Sequence, residues 1–261
     1  MVRGIYTSAV GMQTNVNRMD VLSNNIANVD TTGYKRELSI QRSFSDRLMF
    51  ALGNDQALGG FTFPQDNNIG SVRLGNFVDE VHIDHSNGSF REATGPLNLA
   101  ISGEGFFQVE MQGPDGDTVT RYSRNGALTV DSSRTLRTLE GNPVLNSAGG
   151  HITLPEGEIL IGKNGEISVN NERIATLGLV NFENVQSLRQ FGDNAFDRTD
   201  ETVETPFTGQ VISGFLETSN VNPVREMVEM ITITRNYETN SKALSMADEL
   251  LGRAVNEIAS R

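Results

Sequence analysis

From Pro223 to the end of the chain, Met230, Ile233, Tyr237, Asn240, Leu244, Ala247, Leu251, Ala254 and Ile258 alternate steps of three and four. That is the heptad spacing of a coiled-coil seam. One glycine, Gly252, and no further proline interrupt the stretch, which is rich in Leu, Ala, Glu, Met and Lys, so it predicts one long helix. Asn222 supplies an N-cap side chain, Pro223 suits the first helical position, and Glu226 and Glu229 favour the positive end of the dipole. Asn240 is a polar residue within the seam, where a buried Asn fixes register at some cost in stability.

A second stripe opens the chain. Ile5, Ala9, Met12, Val16, Met19 and Ile26 recur at helical spacing with Asn, Gln, Arg and Asp between them. This pattern predicts a helix that ends near Asn28-Val29-Asp30-Thr31-Thr32-Gly33, a cluster that stops helices and makes turns. Gly33 is expected to need a positive φ or a close backbone approach.

Between these ends the period changes to two. Runs such as Glu166-Ile167-Ser168-Val169 and Ala127-Leu128-Thr129-Val130 alternate, and Asn87-Gly88, Asp115-Gly116, Asn125-Gly126 and Asn164-Gly165 read as tight turns. An antiparallel β domain is predicted over residues 72–219. Residues 36–71, rich in Gly, Asn and Asp around 53–70, read as an extended arm or linker. The fold class is therefore α+β: an antiparallel all-β central domain between N- and C-terminal α-helices. Pattern leaves open whether those helices brace the sheet or pair with each other as a coiled-coil-like helical domain of residues 1–35 with 220–261.

Composition narrows the chemistry. Of 261 residues, 37% are hydrophobic and 21% charged, so the bulk of the chain folds. Acidic residues outnumber basic ones 33 to 21, giving a net charge of -12 without a Lys/Arg block, which argues against nucleic acid as a partner. There is no cysteine, excluding a disulfide framework and any thiol site. No apolar run approaches a membrane span, and Met1-Val2-Arg3-Gly4-Ile5 does not open a cleavable signal peptide. The polar faces of the end helices are mixed in sign, so partner helices are expected rather than anionic lipid.

No reactive constellation stands out. His82 and Asp84 would share one face of a strand while His85 points to the other, and a fourth metal ligand would have to come from distant His151. These are expected to be surface histidines beside a turn. Gly103-Glu104-Gly105 runs into Phe106-Phe107 where a phosphate loop needs a helix N-terminus, so it reads as a turn into a buried strand. No Gly-x-Ser-x-Gly elbow occurs. The reading is of a protein that is not an enzyme and uses no cofactor, metal or small-molecule substrate.

The run Leu22-Ser23-Asn24-Asn25-Ile26-Ala27-Asn28-Val29-Asp30-Thr31-Thr32-Gly33-Tyr34-Lys35-Arg36 resembles the N-terminal motif of the bacterial flagellar rod and hook proteins. Gly214-Phe215-Leu216-Glu217-Thr218-Ser219-Asn220-Val221-Asn222, with Glu226 through Lys242, is similar to that family's C-terminal motif. Thr94 to Ile101, Gly103 to Val109 and Tyr122 to Gly126 resemble its central signature, and the length is similar to that of distal rod proteins and their sister rod proteins.

The resemblance implies a structural subunit of the basal-body rod that self-assembles into a helical tube and transmits torque to the hook. It implies as partners further copies of the chain, other rod proteins, the hook protein, bushing rings where an outer membrane exists, and the type III export apparatus. The implied location is outside the cytoplasmic membrane, periplasmic in diderms, reached without a cleaved signal peptide. The candidate assembly interface comprises Ile5, Met12, Met19, Leu22 and Ile26, the bend residues Asn25, Asn28, Thr31, Gly33 and Tyr34, and Met230, Ile233, Tyr237, Asn240, Leu244, Leu251 and Ile258. A secreted β-rich binding module or adhesin, with helices that only brace the fold, is the alternative.

Overall fold

The computed structural model describes residues 2–43, 47–50, 68–72, 75–113, 116–192 and 194–259. Residues 44–46 and 51–67 of the predicted arm, and Asp115 of the Asp115-Gly116 turn, lie outside them. Helix α1 spans Val2–Ala27 and helix α2 spans Pro223–Ala259, with a β-rich region between. The predicted start of α2 is as built: the Asn222 side chain accepts from the Arg225 N–H at 3.1 Å. Within the predicted arm, Arg36–Ser43 forms a strand that pairs with Asn76–Asp84, and Arg47–Phe50 pairs antiparallel with Asn68–Val72.

The chain divides into two compact units, one of residues 1–22, 39–81 and 228–261, the other of 23–38 and 82–227. The second unit is organised by a six-stranded antiparallel sheet. From edge to edge its order is Arg189–Phe191, Ala195–Asp197, Thr118–Ser123, Phe106–Gln112, Leu179–Phe182 and Glu204–Pro206. Phe106 and Phe107 are consecutive, so they point to opposite faces of the central strand. Both are buried, Phe107 among Leu99, Val109, Leu136 and Val144, Phe106 among Tyr122, Val180, Phe182 and Phe196. The sheet therefore carries a core on each side, and each fully buried side chain contributes about 1.5–3 kcal/mol.

The turn dipeptides divide by function. Asn164-Gly165 joins two antiparallel strands, with Gly165 at φ 76° and its N–H donating to the Gly162 carbonyl. Asn87-Gly88 and Asn125-Gly126 join no hairpin; they lie in segments outside helix and strand. Their glycines admit another backbone: a Cβ on Gly88 would lie 1.9 Å from the Thr218 carbonyl oxygen, and one on Gly126 would lie 1.8 Å from that of Leu99.

Candidate functional site

The bend after α1 is built from its own side chains. The Asn28 amide donates to Asn24 Oδ1 at 2.8 Å, and Thr31 Oγ1 donates to Asn28 Oδ1 at 2.9 Å, closing the helix end that the Asn/Thr cluster predicts. Gly33 follows at φ 72°, and a Cβ there would lie 2.6 Å from the backbone carbon of Arg124. Both expectations for Gly33 hold at once. Tyr34 is fully buried and its hydroxyl donates to Asn25 Oδ1 at 3.2 Å. That same oxygen accepts from the Glu37 N–H at 2.9 Å, while Asn25 Nδ2 donates to the Glu37 carbonyl at 2.8 Å and to Glu226 Oε2 at 3.3 Å. The structure thus brings Asn25, Asn28, Thr31, Gly33 and Tyr34 together.

The bend is fastened to the segment that leads into α2. Glu217, 1% exposed, receives Lys35 Nζ and the Gly88 N–H on Oε1, at 2.7 and 3.0 Å, and Arg124 Nη1 on Oε2 at 3.3 Å. Arg124 also donates to the carbonyls of Ile101 and Gly103, and Lys35 Nζ to that of Ser86. The Gly33 N–H donates to the Glu217 carbonyl, the Arg36 N–H to Asn220 Oδ1, and the Arg36 guanidinium pairs with the buried Glu226 carboxylate at 2.8 Å. Burial lowers the pKa of both Lys35 and Arg124, with the Glu217 carboxylate opposing in each case. A buried ion cluster of this kind is held by its completeness: removal of one partner strands the others.

Sequence reasoning left Lys35, Arg124, Glu217, Asn220 and Glu226 out of the candidate site, although all five stand within the quoted motifs. Their signal is polarity inside otherwise apolar, strand-like or helix-leading segments.

In the helical unit, α2 lies against α1. Arg18 pairs with Glu229 at 3.0 Å, Thr234 Oγ1 contacts Met19 Sδ at 3.6 Å, and Asn240 occupies the space that a side chain on Gly11 would fill, its Nδ2 2.8 Å from a Cβ placed there. Leu22 and Ile233 are buried, and Ile5, Met12, Met19, Met230, Tyr237, Asn240, Leu244 and Leu251 are half-buried. Ile26, in the β-rich unit, is also half-buried, and the side chain of Ile258 lies outside the described residues. The opposite side of α2 exposes two apolar pairs, Val228 with Ile231 and Met246 with Leu250, each residue more than half exposed.

Among the described residues, no helix is long and apolar enough to cross a membrane, and no group of three His, Asp or Glu side chains is placed to hold a metal ion. The expectation of surface histidines needs correction at His85, whose ring packs against Phe106 and Phe196. Strand alternation set it on the face opposite His82 and Asp84, but the strand ends at Asp84 and the ring beyond it packs on Phe106 and Phe196.

Over nearly its whole length the chain is similar to the flagellar basal-body rod protein FlgG of Bacillus subtilis, 32% identical across 98% of this chain and 99% of that one. It is 33% identical to FlgG of Agrobacterium fabrum, across 95% and 97% of the two chains. This chain belongs to the flagellar basal-body rod protein family. FlgF of Caulobacter vibrioides, another rod protein, is 31% identical across 99% and 98%. Three family signatures match this rod protein: Flagella basal body rod protein over residues 5–35, Flagellar hook protein FlgE/F/G D1 domain over 100–169, and Flagellar basal body rod FlgEFG protein C-terminal over 212–257. Each supplies one member of the buried cluster, namely Lys35, Arg124 and Glu217.

Proposed function

We infer that this rod protein is a structural subunit of the flagellar basal body that works by assembling with further copies of itself into a helical tube transmitting torque to the hook. The observation that carries the reading is the two-sided α2. One side holds the seam against α1, and the other exposes Val228, Ile231, Met246 and Leu250. Exposed apolar pairs of this kind mark contact surfaces, and a neighbouring copy would cover them. The half-buried seam residues, Ile5, Met12, Met19, Met230, Tyr237, Leu244 and Leu251, form the floor on which such a contact rests.

In this reading the Asn25 to Tyr34 bend and the Glu217 cluster form a joint within the β-rich unit that ties the end of α1 to the segment leading into α2. A buried joint whose charges are paired resists deformation because each partner lost strands a charge. Membership of the family supports contacts with other axial components of the flagellum, and the reading extends these to the hook protein, to bushing rings where an outer membrane exists, and to delivery by the type III export apparatus to a site outside the cytoplasmic membrane.

Electron microscopy of the purified protein at rising concentration tests the assembly. Fibres or tubes are expected. Monodisperse single chains at every concentration would overturn it.

A further inference from the structure

His85 packs its imidazole against two phenylalanine rings, with centroids 6.0 Å from Phe106 and 5.3 Å from Phe196. Both ring nitrogens are closed off from solvent, and neither has a hydrogen-bond partner among the described residues. A neutral imidazole has one N–H and one lone pair to satisfy; an imidazolium has two N–H groups and a full charge. The pocket meets none of these needs, so protonation raises the cost of keeping the ring inside. Beside it is a cavity of about 370 Å³, also lined by Asp84, Asn87, Glu104, Phe106 and Arg124.

The charges around the ring come from several elements. Lys35 from the bend and Arg124 from beyond the strand Thr118–Ser123 are both cations acting on it, as is His82 on its own strand when protonated. Asp84 opposes them, but its carboxylate accepts the Ser86 N–H. Glu217 is shared by Lys35, Arg124 and Gly88, and Glu104 accepts from Asn181. On each side of His85 the backbone is what the joint grips. Asn220 Nδ2 donates to the Asp84 carbonyl at 2.8 Å and to that of Ser86 at 3.1 Å, and Lys35 Nζ donates to the Ser86 carbonyl at 2.8 Å.

We propose that His85 is a proton-operated release for this joint: a proton taken from solvent makes it an imidazolium beside two buried cations, and the ring leaves the phenylalanine pocket. The segment Asp84-His85-Ser86 then withdraws from Asn220 and Lys35. Burial first, then the neighbouring cations, holds the packed imidazole's pKa down at about 4, against 6.5 when free. Between these values the released form binds the proton and the packed form does not. The packed form is therefore fully favoured above about pH 6.5 and loses ground as pH falls toward 4, by about 300-fold in all.

Hydrogen exchange of the full chain, read on peptides covering residues 82–90 and 215–222 and corrected for intrinsic rates, tests this in wild type and His85→Phe. Between about pH 7 and pH 5, protection is expected to fall about 20-fold in wild type and to stay level in the variant. An equal fall in both, or none in wild type, overturns the proposal. Should His85→Phe fail to fold, proton NMR titration of wild type serves, its ring signals assigned with His82→Asn and His151→Asn. A His85 midpoint near 4 is expected, and one near 6.5 overturns the proposal.

Discussion

Asn25 holds Glu37 as a strand partner would: its Oδ1 accepts from the Glu37 N–H at 2.9 Å and its Nδ2 donates to the Glu37 carbonyl at 2.8 Å. A side-chain amide thus turns the chain from helix into strand. Replacement by Asp keeps the shape but sets a carboxylate oxygen against the Glu37 carbonyl and the Glu226 carboxylate. Asn25→Asp is expected to cost about 2–4 kcal/mol at neutral pH, measured by urea unfolding followed by circular dichroism. A cost under about 0.5 kcal/mol would show that the double contact contributes little.

Glu217 neutralises two buried cations at once. Glu217→Gln keeps the volume and removes the charge, leaving Lys35 and Arg124 facing each other. The expected loss is about 3–5 kcal/mol, read from the same denaturation curves. Adding Lys35→Met should recover part of it, because one stranded charge is then gone.

Two glycines make a controlled pair. Gly33 combines φ 72° with backbone atoms less than 3 Å from where a Cβ would sit, whereas Gly252 lies on α2 with nothing within 4 Å. Gly33→Ala should cost more than about 2 kcal/mol and reduce rod recovery from cells. Gly252→Ala should stabilise α2 by about 0.5–1 kcal/mol. Equal effects on melting temperature would refute the distinction.

Ile231 and Ile233 stand two residues apart on α2 but are 54% and 1% exposed. Ile233→Asp buries a carboxylate in the seam and should lower the melting temperature of the single chain markedly. Ile231→Asp should leave that temperature nearly unchanged, within about 0.5 kcal/mol in stability, yet abolish fibres. Normal fibres from Ile231→Asp would remove the outer face of α2 from the assembly.

The helices were legible because their signals are local. Asn222 and Pro223 mark the start of α2, and the steps of three and four from Met230 to Ala254 match its less exposed side. The hairpin at Asn170-Asn171 was not, although both residues have positive φ; Asn tolerates that conformation, but without glycine the pair carries a weak turn signal. Asn87-Gly88 carried a strong one and is no hairpin, since its glycine answers to Thr218, far along the chain. Lys35, Arg124, Glu217 and Glu226 look like surface residues by type. Their burial depends on partners 93 to 201 positions away, and no local window contains that information.

The distance along the chain between Lys35 and Glu217, 182 positions, has a kinetic consequence. A contact that closes so long a loop pays its entropy late, after the intervening strands have shortened the effective span. A chain delivered from its N-terminus would carry the finished α1 bend, with Lys35 unpaired, until Glu217 arrived. The clasp would then snap shut only once Glu217 was present, so a subunit that has emerged only as far as its central strands cannot lock.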